Sequence, residues 1–334
     1  MPIFTFAIKP NKYVWPKKSN FYKLKNHKTN KAKILITIAG PTAVGKTDLT
    51  LTLAKKYNSH IISADSRQLY KELNIGTAKP SKEELSQVIH YYINHISIEH
   101  EYNVAKYEDE INTLFNSYFE NHDIGILSGG TGMYIKAALE GLDYFPDVDE
   151  KIKIFYDSKL KEKGLESLQF ELKERDPIYA QEVDNSNSRR LIRALSVIES
   201  SGQPYSSFLN QKKEKQHPFH QINICLTRDR EELYSRINRR VDLMIEKGLL
   251  DEVQNLMNWQ NLKSMQTVGY SELFKHINGE ISLPEAIELI KRNSRRYAKR
   301  QMTWFRNQGN WKYINAEDKE SVFNYIDLKT KEFG

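Results

Sequence analysis

Ile34-Leu35-Ile36-Thr37-Ile38-Ala39 runs directly into Gly40-Pro41-Thr42-Ala43-Val44-Gly45-Lys46-Thr47. The first six residues form a short apolar run ending in a Gly-Pro turn, the pattern of a strand buried in a parallel sheet. The next eight satisfy G-x-x-x-x-G-K-[ST], and residues 48–57 read as a helix. A strand before and a helix after turn a common pattern into a P-loop. Glycines let the backbone wrap an anion, while successive N–H groups and the helix N-terminus supply positive potential. Lys46 neutralises phosphate charge, and Thr47 Oγ is placed to ligate Mg²⁺. The expected ligand carries a diphosphate or polyphosphate.

The alternation continues outward from this loop. Residues 60–64 and 123–127 read as strands, the latter running into Ser128-Gly129-Gly130, with helical patterns at 81–90 and 104–121 between them. Strands alternating with helices predict an α/β fold, here a P-loop NTPase-like parallel sheet flanked by helices. Residues 146–218 are Lys/Glu-rich with helical periodicity and no convincing strand, and are read as an inserted helical subdomain. Residues 221–226 return to the sheet. From Asp229 the chain is mostly helical, with a short strand at 311–314. The catalytic domain is thus expected to comprise residues 34–145 and 219–320.

Composition narrows the class. At 39% hydrophobic and 28% charged, the 334 residues have the make-up of an ordinary globular protein. No run approaches the roughly 18 apolar residues needed to span a bilayer. Cys225 is the only cysteine, which excludes an intrachain disulfide or a multi-Cys zinc finger and fits a reducing compartment. The net charge of +7 misleads as a total. Residues 1–33 hold nine lysines and no acid, so residues 34–334 carry −2. A nucleic-acid partner must therefore be argued from local clusters. The leader itself reads as a basic, flexible arm or a solvated tail. It lacks the apolar core of a signal peptide and the arginines of a mitochondrial presequence, so a cytoplasmic location is expected.

Phosphoryl transfer is the usual work of a P-loop, and it usually needs a carboxylate at a neighbouring strand end. Ser128-Gly129-Gly130-Thr131 offers none. Asp65, after Ile61-Ile62-Ser63-Ala64, is the acid in the right kind of place, although Asp at such a junction often only caps the next segment.

Further motifs carry a family resemblance. Asp65-Ser66-Arg67-Gln68-Leu69-Tyr70, followed by Ile75-Gly76-Thr77-Ala78-Lys79-Pro80, resembles the segment after the P-loop in tRNA dimethylallyltransferases. Gly129-Gly130-Thr131-Gly132-Met133-Tyr134 is similar to that family's next motif, and Arg189-Arg190-Leu191-Ile192-Arg193-Ala194-Leu195 to its insertion motif. Gln266-Thr267-Val268-Gly269-Tyr270, with Ser271 after it, and Arg295-Arg296-Tyr297-Ala298-Lys299-Arg300-Gln301-Met302-Thr303-Trp304-Phe305 resemble its C-terminal pair. With the P-loop these make six motifs in family order. Two positions depart: Ser196 stands where the family usually has Glu, and Arg189 where many members have Gln. No Cys/His finger follows, so the resemblance is to the bacterial form.

The resemblance implies transfer of a dimethylallyl group from its diphosphate to the N6 amine of the adenosine 3′ of a tRNA anticodon. It implies Asp65 as general base, with Lys46, Thr47, Thr131 and Arg236 in the catalytic site, Mg²⁺ as cofactor, and diphosphate held by residues 40–47. It also implies tRNA contacts from 65–68, Thr131, 189–193, 266–271 and 295–302. The expected partners are the tRNA anticodon stem-loop and dimethylallyl diphosphate, with no membrane, and the chain is expected to be a monomer.

That chemistry suits these residue types. An exocyclic amine gains positive charge as it attacks, so a carboxylate within hydrogen-bond reach can take its proton. The allylic carbon tolerates positive charge, which moves the catalytic demand to the leaving diphosphate and the cations around it. Reaching a stacked adenine requires extruding it, and that needs clamps on the RNA backbone. Arg292, Arg295, Arg296, Lys299 and Arg300 fall on one helical face and are read as such a clamp. Tyr297 and Trp304 are read as core packing. Two rivals remain: an adenylate isopentenyltransferase, which would not need the insertion or the basic helix, and a P-loop nucleotide kinase or NTPase.

Overall fold

The computed structural model describes residues 32–211 and 217–334, so the expectations for the Lys-rich leader lie outside the described residues. Strand β1 (Ile34–Ala39) is buried along its length because both faces of the sheet around it are covered. Its side chains divide with the period of two that a strand imposes. Ile34, Ile36 and Ile38 enter one apolar core, Leu35 and Ala39 the other.

The elements following β1 are α1 (Lys46–Lys56), β2 (Ile61–Ser63), α2 (Lys82–Gln87), β3 (His90–Tyr91), α3 (Val104–Asn121), β4 (Ile124–Gly129) and α4 (Gly132–Leu139). Helices α5 (Glu150–Arg175), α6 (Pro177–Glu182) and α7 (Ser188–Ser201) come next. The chain then continues through β5 (His220–Thr227), α8 (Arg230–Glu246), α9 (Leu249–Gln254), α10 (Tyr270–Ile277), α11 (Leu283–Asn307), β6 (Lys312–Asn315) and α12 (Lys319–Phe333). The six strands form one sheet in the order β3-β2-β4-β1-β5-β6, with every neighbouring pair parallel. Helices α3 and α4 contribute to one core, and α1, α8 and α12 to the other. This is the expected parallel α/β fold.

The topology fixes where a ligand goes. The chain leaves β1 for β2 on one side, β4 fills the gap between them, and β5 and β6 lie on β1's other side. The carboxyl end of β1 is therefore a switch point, where loops diverge and leave a crevice. The P-loop occupies it.

Helices α5, α6 and α7 enclose an apolar cluster of their own, built on Tyr156, Leu168, Leu172, Leu191, Leu195 and Ile198. Within α5 the helix is broken at Gly164, whose φ is +74°. No helix among the described residues is long and apolar enough to cross a membrane.

Several boundaries differ from those read in the sequence. Helix α1 starts at Lys46, two residues early, because Gly45 adopts a left-handed conformation and opens it. Helix α2 stops at Gln87, and His90–Tyr91 pair with β2 as an edge strand in place of the expected helix. Two half-buried residues have no period to detect. Helix α12 has no counterpart among the elements read from the sequence.

Candidate active site

A cavity of about 280 Å³ opens at the carboxyl end of β1, lined by the P-loop, Asp65, Gln68, Arg236, Arg240 and Tyr297 among others. The loop's shape depends on Gly40. Its φ is +147°, and a Cβ there would lie 2.9 Å from the Leu226 carbonyl oxygen. No side chain caps the N-terminus of α1, which leaves the loop's positive end to a ligand.

Lys46 Nζ donates to the carbonyls of Gly40 and Pro41 at 2.9 and 2.8 Å. Burial lowers its pKa to about 8; nearby Asp65 opposes the shift and Arg240 adds to it. Arg236, on α8, donates Nε to the Ala43 carbonyl at 2.9 Å and remains exposed at the rim. Arg240, one turn further, reaches deeper: its Nη2 donates to Thr42 Oγ1 at 2.5 Å. Its buried Nε has no partner among the described residues. Burial lowers its pKa to about 10, with Asp65 again opposing. The sequence reading missed Arg240, although its i, i+4 spacing from Arg236 was a signal that both share a face.

Asp65 faces these cations. Its Oδ1 accepts from the backbone N–H groups of Arg67 and Gln68 at 2.8 and 3.2 Å, the capping arrangement expected of an Asp at a strand end. Oδ2 has no hydrogen-bond partner among the described residues. One carboxylate thus both shapes the loop and keeps an oxygen for other work. Thr131 Oγ1 accepts from the Ser66 N–H at 3.1 Å and so ties the β4 turn to the same loop. Tyr297 lines the cavity rather than packing in a core, which corrects the expectation from sequence; burial raises its pKa to about 12, and Asp65 reinforces the shift. Trp304 does pack, against Gly132.

The residues expected to contact tRNA divide by burial. Arg189, Arg190 and Arg193 are exposed on α7, whereas Leu191 and Ile192 lie inside the small helical core, because the apolar face of an amphipathic helix must be covered. Ser196 is also buried there, so this departure from the family pattern sits in packing. Arg67 Nη1 donates to the Ser264 carbonyl at 3.1 Å, and Gln68 Nε2 to those of Thr77 and Ala78, both at 3.1 Å. Of the 266–271 motif, Gln266 is exposed and Thr267, Val268 and Ser271 are half-buried. Gly269 is buried, and Tyr270 wholly so with its hydroxyl on Glu252. Tyr270 is therefore a packing residue in this structure.

The basic helix is likewise split. Arg292, Arg296, Lys299 and Arg300 are exposed, and Arg295 is half-buried with Nη1 on Asn238 Oδ1 at 2.5 Å. No ion pair reaches any of the five among the described residues. Ala298 is buried in the sheet's core. Lys299 and Met302 line a second cavity, of about 250 Å³, with Arg228, Arg230 and Arg306. Gln301 is buried and accepts from the Thr42 N–H at Oε1, while its Nε2 donates to the Gly130 carbonyl, both at 2.9 Å. It clamps the P-loop to the β4 turn from the wall of the first cavity.

For a metal, the described residues offer no group of three His, Cys, Asp or Glu side chains. Thr47 lines the cavity, with Asp48 and Asp65 also in its wall. Few protein ligands suit Mg²⁺, which keeps waters and binds mainly through substrate phosphates. The donor set fits an ion brought with a diphosphate.

The chain is similar to known proteins along most of its length. Residues 68–308 match the family model described as IPP transferase, a span that begins after the P-loop. The chain is 45% identical over 295 residues to tRNA dimethylallyltransferase 1 of Bacteroides thetaiotaomicron, covering 88% of this chain and 96% of that one. Among solved structures it resembles the tRNA isopentenylpyrophosphate transferase of Bacillus halodurans, at 36% identity and a TM-score of 0.67, over 90% of this chain and 98% of that one. It also resembles a eukaryotic dimethylallyltransferase acting on tRNA, at 27% identity and a TM-score of 0.72, over 89% and 77%.

Proposed function

The chain belongs to the IPP transferase family, and we propose that it moves a dimethylallyl group from dimethylallyl diphosphate to the N6 amine of the adenosine immediately 3′ of a tRNA anticodon, releasing diphosphate. One observation carries this reading. A half-buried cationic cradle of Lys46 and Arg240 shares its cavity with the carboxylate of Asp65, which lies close to both cations and keeps one oxygen free. A leaving anion and an attacking amine need those two opposite surroundings.

The P-loop amides, Lys46, Arg236 and Arg240 hold the diphosphate and stabilise the charge it gains as the C1–O bond breaks. Asp65 Oδ2 accepts the N6 proton as the new C1–N bond forms, help typically worth about 10²–10⁴-fold in rate. Thr131 and Gln301 keep the base loop, the β4 turn and the P-loop in register. Mg²⁺ would be held by Thr47 Oγ and the diphosphate oxygens, and would supply further positive charge at the leaving group. The exposed arginines of α7 and α11 contact RNA phosphates, with residues 146–218 acting as a helical module that grips the anticodon stem-loop. The enzyme works as a monomer in the cytoplasm.

Labelled dimethylallyl diphosphate offered with tRNA or with AMP, alongside ATP turnover, tests the reading. Label in tRNA supports it. Label in AMP alone, or steady ATP consumption without prenyl transfer, points to the rival activities.

A further inference from the structure

Thr77, Ala78 and Pro80 form part of the cavity wall, yet their segment belongs to no helix or strand. Ala78 has a φ of +50°, a conformation an alanine adopts only when its surroundings impose it. The segment leading into it is held from outside the cavity. The carboxylate of Glu252, on α9, accepts from the backbone N–H groups of Asn74, Ile75 and Gly76 at 3.2, 2.9 and 3.2 Å. It also accepts from the Tyr270 hydroxyl at 2.5 Å. The Tyr270 ring seats directly on the loop, since a Cβ at Gly76 would come within 2.4 Å of it.

The inner end of the loop is tied to the proposed base. Gln68 Nε2 donates to the Thr77 and Ala78 carbonyls, and the Gln68 and Arg67 N–H groups fill Asp65 Oδ1. Hydrogen bonds joined by the backbone of residues 76–78 therefore link Glu252 through Gln68 to Asp65. Two features suit a carboxylate for the outer end. It is acceptor-only, and its two oxygens can serve four converging donors. An isosteric amide would point its own N–H₂ at backbone N–H groups.

We infer that Glu252 is a positioning residue for prenyl transfer: it holds the 74–80 loop, and through Gln68 the Asp65 carboxylate, in the geometry the attacking amine requires. This rests on the reading of Asp65 as base and adds a residue that touches no substrate. It also gives the 266–271 motif a role, because Tyr270 completes the carboxylate's set of donors.

The test compares Glu252→Gln, Tyr270→Phe and Asp65→Ala with the wild type in single-turnover transfer at saturating tRNA and dimethylallyl diphosphate. Dimethylallyl diphosphate affinity is measured separately, without tRNA. Misplacing a catalytic group by an ångström can cost about 10²-fold, so Glu252→Gln is expected to lose about ten- to a hundredfold in rate. Diphosphate affinity, set by the P-loop, Lys46 and Arg240, to none of which Glu252 is hydrogen-bonded, should stay within about twofold. Tyr270→Phe removes one of the four donors and should lose less, about threefold to tenfold in rate. A normal rate in Glu252→Gln overturns the inference, as does a parallel loss of rate and diphosphate affinity, which marks a general structural role. If Glu252→Gln does not fold, a normal rate in Tyr270→Phe overturns it instead. A normal rate in Asp65→Ala removes the base assignment itself, a failure visible independently of the Glu252 result.

Discussion

Helices α8 and α11 both carry arginines at helical spacing and pack against each other, yet they use their charge in opposite ways. On α8, Arg236 from the exposed rim and Arg240 from deeper in the cavity bond to the P-loop at Ala43 and Thr42. Burial weakens the hold of Arg240 on its proton, the cost of placing a cation where a leaving anion will sit. On α11, Arg292, Arg296 and Arg300 face solvent with no carboxylate partner among the described residues, and the inward side chains are Tyr297 and Gln301. Spacing shows that charges share a face. Only packing shows which face.

If the inner groups do chemistry and the outer ones only bind, mutations should separate rate from affinity. Asp65→Ala should have the largest effect, about 10²–10⁴-fold on single-turnover rate with tRNA affinity little changed, since a base acts on the transition state. Comparable losses in both would return Asp65 to the role of a cap.

Arg240→Ala should follow, at about 10²–10³-fold, the usual scale for removing one preorganised donor to developing charge. Arg236→Ala, already solvated, should lose less. Rate measurements on both variants check the order, and the reverse order would place the leaving group at the rim.

Lys46 offers a gentler perturbation. With its pKa lowered by burial to about 8, it is charged below that pH and neutral above it. Anion binding favours the charged form, so dimethylallyl diphosphate affinity should fall as pH rises through about 8, by at most about tenfold per pH unit. Isothermal titration between pH 7 and 9 measures this, and Lys46→Arg, which stays charged, should flatten the profile.

The smallest effect belongs to the outer face. Neutralising Arg295 and Arg296 together should weaken tRNA binding and flatten its dependence on salt. The slope should change by about 0.7 for each single-strand phosphate that is no longer neutralised. Because Arg295 is half-buried on Asn238, most of that change should come from Arg296. An unaltered slope would make the stripe a solvated face.

How far the sequence carries the reader depends on the range of the interaction. Gly40 to Thr47 is legible because loop, strand and helix adjoin in the chain. The parallel sheet follows from alternation, and Asp65 and Thr131 from their strand ends. The rest is written in long-range contacts. Gln301 joins Thr42 across 259 residues, and Glu252 joins Ile75 across 177. No local pattern marks Gln301 as part of the cavity wall or Glu252 as a support behind it. Tyr270 and Gln301 stand in recognisable motifs, but a motif shows that a residue belongs to the site's construction without showing whether it touches substrate. Edge strand β3 escapes for the opposite reason, being too short to have a pattern at all.

The most direct test follows the atoms of one turnover. Enzyme, tRNA and dimethylallyl diphosphate are combined, and the modified nucleoside and released diphosphate are quantified together, with ATP present as a bystander. The account predicts one diphosphate released for each dimethylallyl group found on N6 of the adenosine 3′ of the anticodon, with ATP unconsumed. Diphosphate released without modified tRNA, modification at another nucleoside, or ATP consumed in proportion to turnover would contradict it.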